Sequence, residues 1–248
     1  MALELSTLLD RVDGKRRRLF SFRPMPASII ARVKRKQDLA WLHASHGWGG
    51  GTLRLGEIES VIDTGLAVAG HPVSEHLEVQ NLAEALEWIE EWARADLPMR
   101  ARDILHVHAV LHAGLAGTLP GRFRASELRV GGTFAGHTPG PEIPRRIQAL
   151  CTQLNGRSGR KTHPIDRAVH AMITLTMLMP FREGNDLVTR LVLNGLLLQR
   201  AYPIAHFPDP DRLRDCLHMA QGGQRVPLTN LVAEVVEAGL DRYLAALA

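Results

Sequence analysis

The stretch Met179-Pro-Phe-Arg-Glu-Gly-Asn-Asp-Leu-Val-Thr-Arg190 gathers the residues best suited to chemistry. Two carboxylates, Glu183 and Asp186, and one guanidinium, Arg190, flank the pair Gly184-Asn185, and an apolar helical pattern follows at once. Backbone N–H groups at a helix start are unpaired and the helix dipole favours negative charge there, so the arrangement suits a phosphate or carboxylate ligand. A glycine-asparagine pair before a helix is equally the signature of a plain turn with a cap. His108 and His112 stand four residues apart, a spacing that can place two imidazoles on one metal. No third ligand accompanies them, and they read as ordinary helix residues. Cys151 and Cys216 match neither a zinc nor a disulfide pattern.

These residues need a scaffold, and the composition says which kind. The chain has 248 residues, 45% hydrophobic and 23% charged, with aromatics at 5%, so a core of Leu, Val, Ile and Ala in packed helices is expected. Apolar periodicity predicts helices over Ala27 to Ala44, Leu53 to Thr64 (closed by Gly65), Ser74 to Ala95 (with Ser74 as N-cap), and Arg102 to Leu115. Further helices follow from about Pro141, over Pro164 to Met179, over Asp186 to Arg200, and from Val226 to the end. Between Arg122 and Phe134 the pattern alternates around Gly131-Gly132, the mark of a short hairpin. No apolar run is long enough to span a bilayer. The first residues carry Glu4 and Asp10 with basic residues after them, the reverse of a signal peptide, so a cytoplasmic protein without a membrane segment is expected.

The formal net charge is +4, but it is unevenly spread. Arg11, Lys15, Arg16, Arg17, Arg18, Arg23, Arg32, Lys34, Arg35 and Lys36 crowd the first forty residues, and Glu75 to Glu91 are rich in acid. With no nucleic-acid-binding motif beside it, the basic stretch reads as a solvated face or one paired with the acidic helix rather than a nucleic-acid surface.

The Met179–Arg190 segment resembles the Fic (Fido) motif, His-Pro-Phe-x-(Asp/Glu)-Gly-Asn-Gly-Arg-x-x-Arg, and Tyr202-Pro203 resembles the family's continuation. Gly121-Arg-Phe-Arg through Val130-Gly-Gly-Thr-Phe, the proline-rich Pro139 to Pro144, and His163-Pro-Ile-Asp-Arg-Ala are similar to its flap and motif-bearing helix. The resemblance covers roughly residues 20 to 205. It implies an all-α, Fic-type helical bundle with a small β-hairpin flap (Val130, Gly131, Gly132, Thr133). Within one structural domain it suggests an N-terminal helical region over 1–98, a core with flap and motif loop over 99–205, and C-terminal helices over 206–248.

The family typically moves a nucleoside monophosphate from ATP to a protein hydroxyl, with the motif histidine as base, the acid on the metal, and the glycine turn and arginines on the phosphates. Carried over, Phe181, Gly184, Asn185 and Arg190 become ligand-binding positions, and Glu183 the metal position if Mg and ATP are bound at all. Met179, however, replaces the histidine, and a thioether takes no proton at any relevant pH. Asp186 replaces the second glycine and places a carboxylate where an anion would sit, capping the helix; Leu187 replaces the first arginine. Upstream, Ser45-His-Gly-Trp-Gly49-Gly is similar to the family's inhibitory segment with Gly49 in place of its glutamate. Three readings follow. The first is a pocket remodelled for a different ligand or reaction, with Glu183, Asp186 and His46 as candidate catalytic groups. The second is a non-enzymatic interaction protein whose flap receives an extended protein segment or whose basic N-terminal face docks on an acidic partner. The third is an AMP transferase with a substitute base. Oligomeric state stays open.

Overall fold

The computed structural model describes residues 2–130, 133–135 and 138–247. In chain order the helices are α1 (Ala2–Ser21), α2 (Ala27–Trp48), α3 (Leu55–Thr64), α4 (Val73–Arg94), α5 (Ala101–Leu111), α6 (Ile143–Asn155), α7 (Arg157–Lys161), α8 (Pro164–Leu178), α9 (Asn185–Leu198), α10 (Pro210–Gln221) and α11 (Val226–Leu247). Between α5 and α6, β1 (Leu128–Val130) and β2 (Thr133–Ala135) pair antiparallel, with Val130 opposite Thr133. Gly131 and Gly132, expected at the tip, lie outside the described residues. The architecture is that of a helical protein.

α9 is the axis of the packing. Val188 through Leu197 are buried without a break, because α4, α5 and α8 each pack against it, and a helix apolar on every side belongs inside a core. Close approach of α4 depends on Gly195, where an added Cβ would lie 2.7 Å from Ile89 Cγ1 and 3.3 Å from Trp92 Cε3. The buried Asn194 accepts the Ala205 N–H on Oδ1 at 2.8 Å and so fixes the chain leaving α9.

Several expected boundaries shift for physical reasons. α2 runs on to Trp48 and takes Ser45 and His46 into the helix. α4 starts at Val73 with Pro72 ahead of it and no side-chain cap, so Ser74 is not the N-cap. Apolar periodicity places no helix at α1 or α10, although the resemblance implies helical regions over 1–98 and 206–248. α1 buries Leu8 and Val12 against α11, and its basic residues meet acids there. Arg11 Nη2 donates to Glu237 at 2.7 Å, and Lys15 Nζ lies 2.7 Å from Asp241. Hydrogen bonds from Arg11 and then Lys15 hold the Glu237 carboxyl down at about 2. Lys34 pairs with Asp38 and with Glu90 of α4, and Arg35 with Asp63. Much of the basic stretch is therefore engaged within the fold.

Gly195→Val should force α4 off α9 and lower unfolding stability by about 1–3 kcal/mol, the usual cost of overpacking a core contact. Urea denaturation measures it, and an unchanged midpoint would show that the α4–α9 contact tolerates an added isopropyl group.

Candidate functional site

The motif loop connects α8 to α9 and is closed by its own side chains. Met179 ends α8 in the left-handed region (φ 42°), its N–H still bonded to Leu175 O at 2.9 Å, and Pro180 cannot continue the helix. Asn185 then bridges back. Its Oδ1 accepts the Phe181 N–H and its Nδ2 donates to Phe181 O, each at 2.9 Å. Gly184 turns at φ 68° and a side chain there would collide with His112, whose Nε2 would lie 2.2 Å from the added Cβ. α9 begins with no side-chain cap, which leaves its first-turn N–H groups available to a ligand or water.

What holds Met179 in its unfavourable conformation is Arg124. This guanidinium is 2% exposed and donates to four backbone carbonyls: Met179 O (2.7 Å), Leu178 O (3.1 Å), Ser126 O (2.8 Å) and Thr138 O (2.8 Å). Its own N–H donates to Pro180 O at 2.9 Å. The first two carbonyls lie at the C-terminal end of α8, where a positive charge is favoured. The last two bracket the strand segment, so the base of β1–β2 and the motif loop share one fastening. Burial lowers the Arg124 pKa, with the Glu127 carboxylate opposing the shift.

Arg190 is equally enclosed, at 2% exposed. Its Nη2 and Nε donate to Asp186 Oδ2 at 2.6 and 3.2 Å, and its Nη1 donates to Ser45 Oγ at 2.6 Å. Its carbon centre sits 4.2 Å from the Trp48 ring and 5.8 Å from that of Trp41. Asp186 thus neutralises the arginine instead of capping α9, a correction to the sequence expectation with an electrostatic reason. A buried cation without a counter-charge costs more than an uncapped helix end. Gly49 follows α2 as its C-cap and offers no side chain to Arg190.

The candidate groups do not all converge. Met179, Phe181, Glu183, Gly184, Asn185, Asp186 and Arg190 belong to one loop and helix start, joined by Ser45 and Trp48. His46 turns elsewhere. Its Nε2 lies 3.3 Å from Glu75 Oε2, and its ring packs on the backbone of Gly51, where a Cβ would be 2.1 Å away. Glu75 is held in turn by the N–H and hydroxyl of Thr52, which keeps its carboxyl below the ordinary range. Glu183 accepts the Leu119 N–H at 3.3 Å. Among the described residues no group of three or more His, Cys, Asp or Glu side chains is arranged to hold a metal.

Behind the loop, Phe181 is fully buried and stacks on His108, with centroids 3.8 Å apart and planes 5° from parallel. His108 accepts the Gly121 N–H on Nδ1 at 3.0 Å, so it is neutral with its proton on Nε2. Among the described residues, both ring nitrogens of His112 are buried without a hydrogen-bond partner. Burial, with His112 as the next cause, pushes His108 down to about 4. Sequence reading missed the importance of Arg124 and the loop-supporting role of this pair; the Gly121-Arg-Phe-Arg string was the available signal for the first.

Residues 98–197 match the sequence model of the Fic/DOC family. Protein adenylyltransferase Fic of Drosophila persimilis is 29% identical over 239 residues, 95% of this chain and 46% of its own length. The Drosophila melanogaster protein of the same name is 28% identical over 239 residues, again 95% of this chain and 48% of its own. The chain spans about half the length of these curated relatives. Fic-1 from C. elegans superposes with a TM-score of 0.89 at 24% identity, covering 99% of this chain and 73% of that one. A Fic domain containing signaling protein from Bacteroides thetaiotaomicron gives 0.85 at 18% identity, covering 96% of each. These superpositions show a shared fold.

Arg124→Met should leave four buried carbonyls short of a donor and cost about 3 kcal/mol or more. Amide exchange should rise together in residues 178–184 and 126–130, and separate responses of the two segments would refute the shared fastening. Acid should act through His108. The unfolded imidazole binds its proton near the usual 6.5, the folded one only near 4, so its contribution is complete above 6.5 and is lost as pH falls toward 4. Urea midpoints recorded between pH 7 and pH 5 should fall less steeply in His108→Gln than in the wild type.

Proposed function

With residues 98–197 matching the sequence model of the Fic/DOC family, we propose that the motif pocket serves a ligand or reaction other than AMP transfer from ATP. The observation that carries this reading is the enclosure of Arg190 by Asp186, Ser45 and Trp48. A phosphate arriving there would have to displace a carboxylate already in contact at 2.6 Å and would meet its repulsion if it stayed nearby. Met179 adds a second obstacle. The relatives are named as adenylyltransferases, and removal of a general base costs on the order of 10²–10⁴-fold in rate. Glu183, which accepts the Leu119 N–H, could hold a magnesium ion only with nucleotide phosphates and waters to complete its octahedral shell, so the metal position depends on the same phosphate site that Asp186 opposes. ATP with Mg is therefore not the ligand the residues present suit.

What the pocket retains is a set of uncapped N–H groups at the start of α9, an apolar side chain at Met179, and a loop held rigid from behind. That combination suits a small ligand with a modest acceptor group and an apolar body. Substitute bases find little support, because His46 is engaged by Glu75 and Asp186 by Arg190. A second reading, an interaction protein, draws on the two-stranded sheet, in which each strand, among the described residues, pairs on one side alone and an extended protein segment would add as a further strand, the flap role the family resemblance implies. The free, buried thiols of Cys151 and Cys216 support a reducing cytoplasm as the setting.

Calorimetric titration with ATP, with and without magnesium, tests the reading. The wild type should show no micromolar binding, whereas Met179→His, Asp186→Gly and Leu187→Arg combined should gain binding and AMP transfer. Micromolar binding by the wild type that is lost in Arg190→Ala would overturn the proposal.

A further inference from the structure

A groove of about 990 Å³ runs between α6 and α8 and reaches the motif loop at Met179 alone. Its volume is that of a site for a small organic molecule. Leu150, Met177, Leu178 and Met179 give it an apolar lining. Met177 is 50% exposed although α8 is otherwise a largely buried helix, and methionine is the side chain that adapts most readily to an apolar guest.

The charges of the groove cancel. Its acid and its base are Glu142 and Arg146, and they face each other one helical turn apart at 3.2 Å. A cation entering the groove meets no free carboxylate, and an anion meets no free cation. Neutral hydrogen-bonding groups remain on the walls. Gln153 accepts from His170 Nε2 on its Oε1 at 3.0 Å, which leaves its amide N–H₂ for another partner, and Gln221 stands exposed at the rim. The upper end is preformed, since Arg124 draws the carbonyls of Thr138, Leu178 and Met179 to itself, and a wall that does not have to be ordered on binding favours affinity.

We propose that this groove is a binding site for an uncharged, mainly apolar small molecule bearing one or two hydrogen-bonding groups. The site stands apart from the nucleotide question. It needs neither Arg190 nor the start of α9, and the ATP titration and the experiment below can succeed or fail independently.

The probe is N-phenyl-1-naphthylamine, an uncharged apolar fluorophore, titrated into the full chain. A saturable rise in emission is expected with the wild type. Met177→Lys, which introduces a charge, and Ala149→Phe, which fills the space, should each weaken binding about tenfold or more. Both positions are at the surface, and circular dichroism checks that the helices persist. The anionic analogue 8-anilinonaphthalene-1-sulfonate should bind more weakly. The proposal is overturned by any of three results: no saturable signal, variants that bind as tightly as the wild type, or an anionic probe that binds as well as the neutral one. A wild-type dimer that Met177→Lys converts to monomer would likewise overturn it, by assigning the groove to a second copy of the chain.

Discussion

A guanidinium buried with no carboxylate in contact must draw its compensation from dipoles, and Arg124 takes it from the carbonyls that close α8 and bracket β1–β2. Desolvating that charge is costly, so the arrangement persists only while all of these carbonyls stay in place. The left-handed turn at Met179, the exit of the chain through Pro180 and the seating of Phe181 on His108 are geometrically downstream of it. The chemistry of the loop can change while the loop itself survives, because the fastening uses main-chain atoms and is indifferent to which side chains line the pocket.

Arg190 obeys the same electrostatic rule with a different outcome. Here a carboxylate is available four residues earlier on the same helix, and Ser45 and Trp48 complete the enclosure from α2. The two arginines thus divide the site: one organises backbone, the other is quenched by side chains. Between them lie an apolar residue at Met179 and the uncapped start of α9, a pocket whose polarity comes from peptide groups more than from ions.

How much of this could be read in the sequence depends on whether the deciding interaction was local. The motif loop was legible because Pro180, Gly184 and Asn185 act on their immediate neighbours, and the helices flanking it carry strong apolar periods. The end of α2 was misjudged because Gly47 and Gly49 look like a stop, while the contacts that keep the helix going, Ser45 to Arg190 and His46 to Glu75, come from far along the chain. Asp186 looked like a cap until the need of a buried arginine four residues on outweighed it. The Gly121-Arg-Phe-Arg string marked Arg124 without disclosing its role, since its partners at Leu178 and Met179 are 54 and 55 residues away. α1 escaped notice because Gly14 and a run of arginines dilute a stripe that reduces to Leu8 and Val12.

That pairing of α1 with α11 has a consequence for how the molecule is made. The salt bridges between them join residues 226 positions apart, so once α1 has been synthesised more than two hundred further residues must follow before α11 can meet it. Its apolar stripe waits exposed through that interval, and closing so long a loop is entropically slow once the partner arrives. The basic residues that pair with Glu237 and Asp241 in the fold also give α1 a charge that favours solubility while α11 is still to come.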